Sequence, residues 1–186
     1  MRLPQNLALL FLGLLSLSCG FYSLAGSIPP HIKSVAIPLV ENHTAEFGMA
    51  EAVTDNLRDK FIAENILQVV PENRADSILR GTITRVTDTP YTFKTGEAVT
   101  EYRFTVTMKL EWSDQKNDQV LLNKQYSAWG AYGLSGDIST DGVDNDGDGL
   151  IDDADPDEVG DPREFATQVA VIKIAEDVLN DIVSSW

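Results

Sequence analysis

From Glu101 to Trp112 the side chains alternate without a break. Tyr102, Phe104, Val106, Met108, Leu110 and Trp112 share one face; Glu101, Arg103, Thr105, Thr107, Lys109 and Glu111 share the other. Successive strand side chains point to opposite sides, so this run is a β-strand of an antiparallel sheet with one face buried and one wet. Such a sheet needs apolar partners on its dry face, and two helical segments supply them. Glu46 to Glu64 places Met49, Val53, Leu57 and Phe61 four apart, one buried stripe. The second helix has a marked start, with Asp161 as N-cap, Pro162 at the first helical position and Glu164 completing a capping box. Its expected buried face is Phe165, Val169, Ile172, Ala175, Leu179, Ile182 and Trp186.

Shorter strands surround this frame. Ser34–Val40 alternates with Val35, Ile37 and Leu39 on one side, and Pro38 marks an edge position or the end of regular pairing. Leu67–Val70 stops at Pro71; Ser77–Thr87 continues as Tyr91–Phe93 after a break at Thr89-Pro90. Val120–Ala131 returns across a polar turn as the hairpin partner of the central strand. The order β, α, β, β, β, β, α reads as an α+β two-layer sandwich, with a mostly antiparallel, four-stranded or slightly larger sheet and two helices on one face. Trp112, Trp129 and Trp186 are expected to fill the core.

The N-terminus has a different character. Residues 1–18 hold Arg2, an apolar stretch from Leu7 to Leu15, and Ser16-Leu17-Ser18 directly before Cys19. That stretch is short of the about 20 residues a membrane span needs and suits an export signal. A thiol directly after small residues suits lipid transfer, so Cys19 is expected to carry acyl chains such as palmitate. Cleavage after Ser23-Leu24-Ala25 is the alternative, with Cys19 discarded. Since Cys19 is the only cysteine, no internal disulfide can form, and acylation removes a reactive thiol. Residues 19–30 then form a tether stiffened by Pro29-Pro30, and 31–186 the domain.

Net charge is −15, which disfavours nucleic-acid binding. The acidity is local. Residues 137–164 hold twelve acids against Arg163 alone. Within an insertion at 137–160, Asp144 to Asp155 fits a twelve-residue calcium loop. Asp144, Asp146 and Asp148 stand at positions 1, 3 and 5, and Gly149 at the sharp turn of position 6. Leu150 offers its carbonyl at 7, Ile151 at 8 points to the core, Asp152 stands at 9 and Asp155 at 12. Asp at 12 resembles dockerin and thrombospondin repeats rather than an EF-hand. The plainer alternative is a solvated Asp/Gly loop. No catalytic constellation appears, and His31 and His43 read as isolated surface residues.

Several pieces in order resemble the lipopolysaccharide-assembly lipoprotein family LptE. They are Cys19-Gly20-Phe21-Tyr22-Ser23, Pro30–Pro38, Glu41-Asn42-His43-Thr44, Ala75–Ile83, Tyr102–Val106 and a closing helix ending near Trp186. The resemblance covers the expected mature chain except 137–160. It implies two helices over a four-stranded sheet and no enzymatic activity. It also implies an outer-membrane lipoprotein on the periplasmic face that plugs and helps assemble the LptD β-barrel and assists lipopolysaccharide transport. Gly20 after the cysteine fits outer-membrane sorting. Basic contacts to lipopolysaccharide are implied at Arg80, Arg85, Arg103 and Lys109, which are otherwise solvated strand positions. A calcium-binding envelope adaptor is the competing function.

Overall fold

Three long strands carry the sheet, and everything else is hung on them. The computed structural model describes residues 28–96, 98–133, 138–140, 142, 144, 148–151, 154 and 160–184; the signal segment, Cys19 and most of the tether fall outside these. The elements are β1 Ser34–Ala36, β2 Glu41–Asn42, α1 Met49–Glu64, β3 Gln68–Val69, β4 Ser77–Phe93, β5 Val99–Asp114, β6 Gln119–Gly133 and α2 Pro162–Ser184. Strand order is β3-β1-β4-β5-β6, with β2 also on β4. β4, β5 and β6 pair antiparallel, whereas β1 pairs parallel with β3 and β4, and β2 parallel with β4. The α+β frame with two helices is as expected, but among the described residues the sheet is mixed and six-stranded, so a mostly antiparallel sheet of four strands or slightly more describes it only roughly. The difference arises because α1 intervenes between β1 and β3, and a crossover helix returns the chain parallel to where it left.

β1 ends at Ala36, short of the expected Val40. Pro38 has no N–H to give the ladder, and side chains of α1 take over the flanking backbone. Arg58 donates to the Ile37 carbonyl from Nε at 3.0 Å and Nη2 at 2.7 Å, and the Val40 N–H donates to Thr54 Oγ1 at 2.9 Å. β4, by contrast, runs unbroken through Thr89-Pro90, with register shifts at Ile83/Arg85 and Pro90/Thr92. β2 reaches only Thr82 and Ile83 of β4. Beyond that point, among the described residues, one side of β4 is an edge, and there a proline costs no ladder bond.

The core lies between the sheet and both helices. Met49, Val53, Leu57 and Phe61 of α1 are all buried, as their spacing predicts. They meet Leu79 and Ile83 of β4, Phe104 to Trp112 of β5, and α2 in one continuous cluster. Val169, Ala175, Leu179 and Ile182 of α2 are buried as expected; Val171, Ile174 and Val178 are buried as well, while Ile172 is 46% exposed. α2 is wedged between sheet and α1, so a broader strip is covered than one stripe. Its first turn presses against β6, where a Cβ on Gly130 would sit 2.3 Å from the Ala166 carbonyl oxygen. Trp112 is fully buried; Trp129 is 38% exposed on the opposite face, and Trp186 falls outside the described residues. Among the described residues no helix is long and apolar enough to cross a membrane.

Candidate functional site

Among the described residues no helix covers the wet face of β5. Register extends it to both neighbours: Arg80 pairs with Glu111, Arg85 with Thr107, and Ala131 and Trp129 of β6 with Arg103 and Thr105. All four expected basic residues, Arg80, Arg85, Arg103 and Lys109, thus project from this one face. They do not form one cluster, since Arg103 and Lys109 are six residues apart, about 20 Å along a strand.

Their surroundings differ. Arg80 forms an ion pair with Glu72, while Arg85 and Lys109 are exposed. Arg103 is held between two aromatic rings. Its guanidinium carbon lies 3.9 Å from the Tyr91 ring centroid and 4.1 Å from that of Trp129. The rings are 5.6 Å apart and tilted 52°. Among the described residues the buried Nε of Arg103 has no acceptor. A guanidinium stacked this way is held in one plane, which favours an anion approaching edge-on. Spacing alone did not reveal this arrangement. Tyr91 reaches Arg103 across the β4–β5 pairing, where Thr89 is the partner of Arg103, and Trp129 was expected in the core.

A second polar centre holds the beginning of the described chain. Asp76 Oδ2 accepts the N–H of Lys33 at 2.9 Å, the N–H of Ser34 at 3.0 Å and the Ser34 hydroxyl at 2.8 Å. These donors, the Lys33 N–H foremost, hold the Asp76 carboxyl below its ordinary value. Asp114, 1% exposed, has His31 Nε2 2.7 Å from Oδ2, and it accepts the Lys116 N–H at 2.8 Å and Asn117 Nδ2 at 2.7 Å. Burial pushes the Asp114 carboxyl up most strongly of any single influence, yet these hydrogen bonds together bring it below its usual value. His31 is therefore not an isolated surface histidine: it joins the incoming chain to the β5–β6 turn. His43 is exposed as expected, with Nε2 3.4 Å from Glu41 Oε2.

Arg163 forms a third centre at the start of α2. It grips Glu46 with Nη1 at 2.8 Å and Nη2 at 3.1 Å, donates from Nε to Asp88 at 2.9 Å, and lies 4.8 Å above the Phe104 ring. The Tyr132 hydroxyl also donates to Asp88. The Arg163 hydrogen bond holds Glu46 below its ordinary value. In the sequence this residue is only the lone base of an acidic segment. Beside it, the Glu164 N–H donates to Asp161 Oδ1 at 2.9 Å, as an N-cap requires.

Of the expected calcium ligands, Asp146, Asp152 and Asp155 fall outside the described residues. Gly149 has φ 96°, the left-handed turn expected at position 6. Its N–H donates to Asp144 Oδ2 at 3.1 Å, and the Leu150 N–H donates to Asp148 Oδ1 at 2.7 Å. Ile151 does not point into the core; it is 46% exposed, and the cluster beneath α2 closes without it.

Comparison with known proteins gives one family. The model described as LptE, lipopolysaccharide-assembly, matches residues 32–185. No curated protein matches the sequence. Among solved structures, a Xanthomonas campestris protein superposes with a TM-score of 0.51 at 9% identity, covering 85% of this chain and 90% of its own. An uncharacterized lipoprotein B from Nitrosomonas europaea also gives 0.51, at 8% identity, covering 82% and 83%. A hypothetical protein from Chlamydia trachomatis gives 0.50 at 10% identity, covering 81% and 98%. At these identities the likeness concerns the fold.

Proposed function

The chain belongs to the LptE family of lipopolysaccharide-assembly proteins, and from that premise we propose that it plugs and helps assemble an LptD-type outer-membrane β-barrel and assists lipopolysaccharide transport to the cell surface. The observation that carries this reading is the extent of the family match, which takes in every described strand and both helices. The role is that of a non-enzymatic assembly and transport factor.

Three features of this chain support finer parts of the reading. Cys19 follows an export-type segment, and a lipidated cysteine bears more than one acyl chain, as stable anchoring requires. The short tether then keeps the domain close to the periplasmic side of the outer membrane. Arg85, Arg103 and Lys109 share the helix-free face, where guanidinium and ammonium groups suit the phosphates of a glycolipid. Arg80 is less available, because Glu72 holds it. The acidic insertion would repel the same glycolipid. Calcium bound by Asp144, Asp146, Asp148, the Leu150 carbonyl, Asp152 and Asp155 would offset that charge and order the loop, and the left-handed turn at Gly149 suits such a site.

The test is co-purification of the tagged full-length lipoprotein in mild detergent. Recovery of a large outer-membrane β-barrel is expected. Recovery of other envelope proteins without any barrel would overturn the reading in favour of a calcium-binding adaptor. Mass spectrometry of the mature N-terminus should find an acylated Cys19; a free N-terminus at Gly26 would remove the anchor from the proposal.

A further inference from the structure

The described chain begins at one end of the sheet and is riveted there. Ile28 packs against the core and Ile32 is buried. His31 meets Asp114, and Asp76 takes the N–H groups of Lys33 and Ser34. Register places this root. Val35 pairs with Ser77, Ser77 with Asp114 and Asp114 with Gln119, so the root shares its end of the molecule with the β5–β6 turn. Both helices finish at the same end. α1 leads into β3, where the Gln68 N–H donates to the Lys33 carbonyl at 3.0 Å. α2 meets Lys124 of β6 through Asp181, near its C-terminus.

This end exposes apolar side chains. Ile66 and Val183 line one hollow with Leu179, and Ile62, 61% exposed, stands four residues before Ile66. Val120, beside the β5–β6 turn, is 51% exposed. Charges of both signs are mixed here, as in the ion pairs of Lys60 with Glu64 and Glu176 and of Arg80 with Glu72. The opposite end exposes Phe47, but Phe47 lies beside Asp161, in the acid-rich segment that joins β6 to α2. An anionic leaflet repels that end and not the first.

Reach points the same way. Cys19 to Ser27 is nine residues, at most about 30 Å of chain. Glu46, next to Phe47, is bound through Arg163 to Asp88, and Asp88 lies eleven residues from Ser77 along β4, about 35 Å. An anchor at Cys19 brings the root to the leaflet with slack to spare, whereas an inverted domain would stretch the tether to its full length.

We propose that the domain rests on the phospholipid leaflet that holds its anchor, with Ile62, Ile66, Val120 and Val183 in the interfacial layer. The inference rests on the acylation of Cys19 proposed above. Burial of these side chains adds to the hold of the acyl chains. It sets the free lipoprotein upright, with the acid-bearing end away from the lipid.

The experiment places the full-length lipoprotein in vesicles of phosphatidylethanolamine and phosphatidylglycerol with brominated acyl chains. A fluorophore is attached through Val183→Cys or, at the far end, Phe47→Cys. Mass spectrometry first establishes that Cys19 is acylated and takes no label. Brominated lipid should quench the label at 183 at least about twofold more than the label at 47. Adding Ile62→Ser and Val120→Ser, both at exposed positions, should reduce that quenching while the thermal midpoint stays in place. Four results would overturn the proposal. Equal quenching at both positions means no preferred end. No quenching at either, on acylated protein, removes the leaflet contact and leaves the anchor standing. A label at 183 that crosslinks to a barrel protein in native membranes, yet is not quenched by lipid, gives this end to protein. A Cys19 without acyl chains removes the anchor and the contact together.

Discussion

Gly130 is where one hydrogen atom in place of a side chain decides the packing of two elements. A Cβ there would meet the Ala166 carbonyl oxygen, Cα and carbonyl carbon at 2.3, 2.7 and 2.8 Å, all backbone, so α2 itself would have to move. Gly81 is also crowded, but its nearest neighbour is the Met108 methyl at 2.6 Å, the tip of a flexible side chain. Gly130→Ala should therefore cost about 3 kcal/mol or more and Gly81→Ala about 1 kcal/mol, read as urea midpoints. Asp76 carries a comparable weight through hydrogen bonds rather than packing. Asp76→Ala leaves the Lys33 and Ser34 donors without their acceptor, at a cost of about 2 kcal/mol at neutral pH. Because the folded carboxyl lies below its unfolded value, its stabilisation is present above about pH 4 and is lost as pH falls through the folded value. The wild type should lose stability in that acid range more steeply than Asp76→Ala; equal slopes in urea melts at pH 7 and in acid would contradict the assignment.

At the scale of elements, the strands with the strongest pattern came out as written and the short ones did not. The alternation at 101–112 became β5 with Phe104, Val106, Met108, Leu110 and Trp112 buried, because its period of two has only one register that hides the apolar set. β1 was shortened by Pro38, whose consequence depended on Arg58 and Thr54 arriving from α1. The break expected at Pro90 did not occur, because that part of β4 is an edge, a fact of neighbours rather than of residues. In α2 the N-cap was legible, but the choice between Ile172 and Ile174 was not, since both fit an apolar helix face. Ile174→Ala should cost about 2–5 kcal/mol in chemical denaturation, and Ile172→Ala should stay within about 0.5 kcal/mol. Similar losses at both positions would mean α2 is rotated from the orientation described here.

For the whole molecule, charge distribution is the governing quantity. Eleven acids fall within the segment that links β6 to α2, and Arg163, in the first turn of α2, ties the helix start to Glu46 and Asp88. If the loop takes calcium, millimolar calcium should raise the thermal midpoint in a concentration-dependent way, as any ligand of the folded state does, and Asp144→Asn should abolish the rise. Calorimetry without heat at those concentrations would leave the loop as a solvated acidic segment and return its charge, unneutralised, to the account of glycolipid contact. The same consideration bears on the helix-free face. Arg103→Ala should weaken lipopolysaccharide retention in co-purification more than Arg80→Ala, since Glu72 already holds Arg80, while Arg103 stands between two rings on the helix-free face.

By itself the sequence determined the class of fold, the buried face of β5 and α1, and the cap of α2. Each follows from periodicity or from a local hydrogen bond, which neighbouring residues dictate without reference to distant ones. Only the tertiary structure decided the parallel pairing of β1, β2 and β3, the wider buried strip of α2, the common face of the four basic residues, the pairing of His31 with Asp114, and the ring clamp on Arg103. These join residues separated by tens of positions: 83 between His31 and Asp114, and 117 between Glu46 and Arg163. Such contacts are selected by which surfaces the finished sheet and helices bring together, and no local pattern in the chain carries that information.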